Sequence, residues 1–149
     1  MNTEEITKLL VKRCKGTFLG VFAIDRLPRR LPKRRPLMIV CNTDPIRKSG
    51  SHWICIYFGK ENDGEYFDSF GLHPRTYPIF ERYLNKNCSR WIWNSKQIQS
   101  VVSHVCGHYV VMYCLFKQLN FSMYTILLCF TEDYGLNDAI AYKYIIEHS

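Results

Sequence analysis

At 149 residues the chain is expected to fold as one domain over 1–149, with enough length to bury a core. Hydrophobic residues at 47% and aromatics at 15% exclude a disordered polypeptide, and the longest apolar runs, Tyr109 to Phe116 and Ile126 to Phe130, are too short to span a bilayer. The net charge is +7, and seven cysteines, several in apolar stretches (Cys55, Cys114, Cys129), argue for a reducing compartment rather than a secreted disulfide framework.

In chain order, the acidic start is followed by no apolar leader, so no signal peptide is expected. Glu4 to Lys15 reads as a helix, with Ile6, Leu9, Leu10 and Arg13 at helical spacing. Phe18 to Ile24 is apolar and extended. A Pro-punctuated basic stretch follows, carrying Arg26, Arg29, Arg30, Lys33, Arg34 and Arg35. Two readings stand side by side: a polyanion contact or import signal, and a solvated loop. Its three prolines are expected to hold it off the core.

Leu37 to Cys41 reads as a strand, and Asn42 to Ser51 is turn-like. His52 to Phe58 is apolar on both faces, hence a central strand. A turn at Glu61 to Gly64 leads to Glu65–Asp68, which predicts a hairpin. Arg75 to Lys86 suggests a helix, Trp91 to Trp93 a short strand, and Leu136 to His148 a closing helix. Cys106 to Leu119, apolar nearly all round, is the expected buried central helix. Helices, a block of strands and helices again make an α+β domain.

Four residue types then point to one chemistry. Cys106 begins the central helix, where the macrodipole favours a thiolate and hence a nucleophile, and Gly107 lets another segment approach it closely. The competing reading is a structural cysteine at a helix start. His52 is the best-placed base, because His104 and His108 are expected to diverge from their close neighbour Cys106. Asp68, across the hairpin, can lie beside His52 and orient its imidazole. Gln99 can supply an amide that joins the Cys106 backbone N–H at an oxyanion. A metal site at His104, Cys106 and His108 lacks a second pair of ligands to complete a zinc shell, so no metal is expected.

These residues resemble the adenain family of adenovirus-type cysteine endopeptidases, in the clan of the ubiquitin-like-protein proteases. The resemblance covers most of the chain through Phe18-Leu-Gly20, Val40-Cys-Asn-Thr43, Gly50-Ser-His-Trp53, Phe67-Asp-Ser-Phe-Gly71 and the block Gln99 to Gly107. It implies a central mixed β-sheet packed by helices, with the nucleophile at the N-terminus of the buried helix. It also implies that His52, Asp68 and Cys106 form a catalytic triad and that Gln99 is the oxyanion donor. Asp68 departs from the Glu of the adenovirus enzymes, while the wider clan uses Asp.

Cys88, 11 residues before Gln99, matches the cysteine to which an activating viral peptide becomes disulfide-bonded in that family. The resemblance further implies a monomer that cleaves capsid or core precursors in a virion or host nucleus. No cofactor is needed for the chemistry, and DNA or a peptide would act as activator. Two alternatives remain: a protease removing ubiquitin-like modifiers, and a non-enzymatic DNA-binding or packaging protein.

Overall fold

Period-two alternation sorts the strand side chains onto the two faces of one sheet. The computed structural model describes residues 1–149 and contains five strands, β1 Phe18–Ala23, β2 Leu37–Asn42, β3 Trp53–Phe58, β4 Asp63–Phe67 and β5 Arg90–Trp93. They lie side by side in sequence order. The two central pairings are antiparallel and the two outer ones parallel, so the sheet is mixed. Met38, Val40, Trp53, Cys55 and Phe67 enter one core, and Leu37, Ile39, Cys41, Ile54, Ile56 and Tyr66 enter the other. The unbroken apolar sequences of β2 and β3 thus follow from burial on both faces.

The first core is closed by α1 Thr3–Arg13, α3 Cys106–Gln118, α4 Met123–Leu127 and α5 Tyr134–His148. The second is closed by α2 Pro78–Asn87. Every residue of α3 from Tyr109 to Leu115 is buried, which makes it the central helix its composition requires. α1 begins at a capping box in which Asn2 and Glu5 satisfy each other's backbone amides. No helix is long and apolar enough to cross a membrane.

Four details differ from the sequence expectations. The hairpin turn lies earlier, before Asp63, with Asn62 at φ 56°. Asp63 closes it by accepting from the Glu61 and Gly59 amides, so Asp63 and Gly64 already belong to β4. α2 starts later, at Pro78, because a separate 3-10 turn occupies Pro74–Thr76. α4 was not foreseen: it is one short segment capped by Ser122, and only Met123 and Ile126 are buried. Cys129, read as apolar packing, is exposed, unlike Cys55 and Cys114.

The basic stretch also behaves differently, since it does fold back onto the core. Leu27 and Leu31 pack on the α2 side, the Tyr83 hydroxyl donates to the Pro28 carbonyl at 2.8 Å, and Lys86 donates to the Arg29 carbonyl at 3.2 Å. Arg35 is half-buried, with its guanidinium donating to the Arg34 and Pro32 carbonyls and lying over the Phe58 ring. Arg34 is exposed but donates to the Gly16 carbonyl. Arg26, Arg29, Arg30 and Lys33 stay exposed, and none of the six cations forms an ion pair.

Candidate active site

The β3–β4 register carries two of the four expected side chains together. Cys55 lies opposite Phe67, so continuing the pairing sets His52 level with Phe70. The two rings stack, with centroids 4.6 Å apart. Asp68 therefore meets His52 on the diagonal rather than directly across: His52 Nε2 and Asp68 Oδ1 are 2.7 Å apart. The same oxygen accepts the Phe70 amide at 2.8 Å.

Asp68 is completely buried, and its backbone is clamped by Asn94. The Asp68 amide donates to Asn94 Oδ1 at 2.8 Å, and Asn94 Nδ2 donates to the Asp68 carbonyl at 2.6 Å. Sequence reasoning gave neither Asn94 nor Phe70 a role. A polar side chain directly after the Trp91–Trp93 run was the only available signal for Asn94.

Cys106 is the first residue of α3, and the preceding Val105 offers no side-chain cap. The leading amides of the helix are consequently open to a nearby charge. Gly107 eases the approach of neighbours: an added Cβ there would lie 3.0 Å from Met1 Cβ and 3.4 Å from Trp53 Cδ1, tight contacts that a small shift would have to relieve. Trp53 in turn donates its indole N–H to the Met1 carbonyl at 3.2 Å.

With Nε2 committed to Asp68, the second ring nitrogen of His52 is the one that faces the thiol. Nδ1 is buried and makes no hydrogen bond of ordinary geometry, so its contact with Cys106 is a loose one. Burial alone would lower the His52 pKa. The hydrogen bond to Asp68, the contact with Cys106 and the charges of both override burial and raise it to about 9. Burial alone would raise the Cys106 pKa. His52 outweighs it, and the amides of Trp53 and Gly107 add to the effect, so the thiol lies below its ordinary value of 9.0. Opposite shifts favour a thiolate–imidazolium pair.

Gln99 reaches the same cleft by a separate route. After β4 the chain turns at Gly71, whose φ is 70° and where a Cβ would lie 2.7 Å from the Gln97 nitrogen. That close approach brings the returning segment against the turn, and the Ile98 and Gln99 amides both donate to the Ser69 carbonyl at 3.0 Å. Ser69 donates its hydroxyl to Gln99 Oε1, which fixes the amide's orientation. Gln99 Nε2 then points to Ser103, 3.2 Å from its carbonyl and 3.1 Å from its hydroxyl. Ser69 and Ser103 are positioning partners that the sequence reading did not assign.

The resulting cleft has a volume of about 210 Å³ and is lined by His52, Trp53, Phe70, Gln99, Ser103 and Cys106, among others. His104, which is exposed, also borders it. His108 does turn away, toward Tyr142 on α5. Cys88 lies on the other face of the sheet, buried against Gly64 and Trp91, and burial pushes its thiol up to about 11. A disulfide to an outside peptide would require it to come out of that packing.

The fold and cleft together define an α+β domain with a Cys–His–Asp constellation and a neighbouring amide. No protein-family model matches the chain, and no curated protein matches it. Among solved structures, it is similar to the central domain of uncharacterized Lpg1148 protein from Legionella pneumophila. That similarity has a TM-score of 0.56 and 17% identity, and it covers 99% of this chain and 95% of the other. A second similarity is to the ASFV pS273R protease, with a TM-score of 0.47, 21% identity and 71% of this chain covered. The chain spans 43% of the length of that protease. The first likeness concerns the fold, whereas the chemistry resides in the side chains of the cleft.

Proposed function

We propose that the protein is a cysteine endopeptidase with Cys106 as nucleophile and His52 as its acid–base partner. The supporting observation is that His52, Gln99 and Cys106, from three separate segments, line one cleft, with Asp68 from a fourth buried behind His52 and bonded to it. In the first half-reaction the Cys106 thiolate attacks the scissile carbonyl carbon, and the carbonyl π pair moves onto oxygen. The Cys106 backbone N–H and a Gln99 amide N–H, released from one of its two Ser103 contacts, hold that oxyanion. The intermediate collapses as the C–N bond breaks, and the His52 imidazolium gives its proton to the leaving amine. His52, now neutral, takes a proton from water. The resulting hydroxide attacks the thioester, releases the acid and returns the thiolate–imidazolium pair. Asp68 holds the imidazole in place and stabilises its charged form.

The finer reading takes the substrates to be structural precursors of a virus or virus-derived element, with small residues such as Gly at the scissile bond. It rests on the adenain-like motifs around His52, Asp68 and Cys106. DNA and a cysteine-bearing peptide would be its activators, and the virion and host nucleus its setting. Incubation of the protein with candidate precursor proteins, and in parallel with ubiquitin-like modifier fusions, tests it. Cutting of precursors that Cys106→Ala abolishes supports the reading. Cutting of the fusions alone would favour modifier removal, and cutting of neither, together with DNA binding, would favour the packaging alternative.

A further inference from the structure

A second cleft lies against the first, and its lining is basic. It has a volume of about 500 Å³ and is formed by α1, the start of α3 and the end of α5, with Lys8, Lys12, Arg13, His108 and His148 on its walls. Met1 borders both this cleft and the one holding Cys106, so the two are neighbours across a single residue. Lys8 and Lys12 are one helical turn apart on the same face, and neither they nor Arg13 has a carboxylate partner.

The one acidic side chain on the lining, Glu5, is engaged with the Asn2 amide at 2.8 Å. Arg13 donates to the His148 carbonyl at 2.8 Å, which fixes the end of α1 against α5. His108, two residues beyond Cys106, has an Nδ1 that is buried without a partner. Lys8, Lys12 and Arg13 outnumber Glu5 and the terminal Ser149 on the lining, and a net positive charge in a concave site attracts anions more strongly than the same charge on a flat surface.

We infer that this cleft is a subsite for acidic residues of the polypeptide cleaved at Cys106. The inference rests on the protease reading. The shared Met1 wall makes the substrate the occupant, because a chain lying in the Cys106 cleft and passing Met1 comes next to the basic one. The spacing also fits. Side chains on one side of an extended peptide recur about every 6.7 Å, and Lys8 and Lys12 are about 6 Å apart along the helix. Acids at alternate substrate positions would therefore meet successive lysines.

The test is digestion of a randomised peptide library by the wild type and by Lys8→Glu/Lys12→Glu, with cut sites read by mass spectrometry. Both substituted positions are exposed, and melting temperatures check that the variant folds. Lys8→Gln/Lys12→Gln serves as the milder second variant. The wild type should enrich Asp or Glu about two- to fivefold per position on one side of the scissile bond, less at high salt. The enrichment should vanish in the Gln variant and invert in the Glu variant, while peptides without acids are cut at unchanged rates.

Identical profiles from all three proteins would overturn the inference and leave the protease reading standing. Cutting by none of them would overturn the protease reading itself, and the inference with it. An oligonucleotide that binds the cleft, with a cut-site profile indifferent to the substitutions, would reassign the cleft to a polyanion and overturn the substrate assignment.

Discussion

The two ends of α3 each hold a buried cluster of ionisable groups, and they differ in how completely those groups are satisfied. At the C-terminal end Lys117 Nζ lies 2.7 Å from Glu65 Oε2, with both side chains less than a tenth exposed. Tyr113 donates to the other Glu65 oxygen at 3.0 Å, and the Lys117 ammonium lies 4.2 Å from the Tyr57 ring centroid. Both carboxylate oxygens have partners. At the N-terminal end, His52 Nδ1 and Asp68 Oδ2 are buried without partners, and the His52–Cys106 contact is loose. A closed cluster holds the fold together, whereas an open one keeps hydrogen-bonding capacity available for a reaction.

The comparison breaks most sharply at Cys106. Cys106→Ala should lower peptide cleavage by a factor of several thousand or more, with His52→Ala close behind, and neither should lower the melting temperature greatly. Steady-state rates alongside thermal melts check both halves of that statement. Lys117→Met should do the reverse. It leaves Glu65 buried without its countercharge and should cost about 3–5 kcal/mol of stability, while turnover per folded molecule is unchanged. Denaturant titration reads the loss, and Glu65→Gln/Lys117→Met should recover most of it.

Smaller effects sharpen the account. Gln99→Ala should reduce kcat about 100-fold or more with little change in KM, because an oxyanion donor acts in the transition state. A rise in KM alone would assign Gln99 to substrate binding. Asn94→Ala strands the buried Asp68 amide and carbonyl and should cost about 1–3 kcal/mol, together with a drop in kcat as the carboxylate loosens.

The pH profile of kcat/KM should rise as pH passes the lowered Cys106 value, because the thiol must lose its proton. It should fall above about 9, where His52 loses the proton that the leaving amine needs. An alkaline limb near 6.5 instead would place His52 outside the reaction.

The sequence made the open cluster legible and left the closed one unread. His52, Asp68, Gln99 and Cys106 are polar or nucleophilic residues at strand and helix boundaries, where local patterns reveal position, and the hairpin needed only its turn signal to be paired. Glu65 and Lys117 meet because α3 packs on β3, where Tyr57 is paired with Glu65 of β4, a consequence of tertiary packing that no local period encodes. Asn94 likewise depends on β5 pairing parallel to β4 through α2. α4 escaped notice because one turn is too short for a period to emerge. The basic stretch misled because prolines suggested stiffness while Leu27 and Leu31 were the residues that decided where it lies.

The most direct measurement of the central claim is labelling with a thiol-reactive peptide vinyl sulfone at neutral pH, followed by mapping of the modified cysteine. Exposure alone favours Cys129, the one exposed cysteine, whereas Cys106 is only 8% exposed. Labelling of Cys106 first, lost in His52→Ala, is the result this account predicts. Labelling of Cys129 with Cys106 untouched would contradict it.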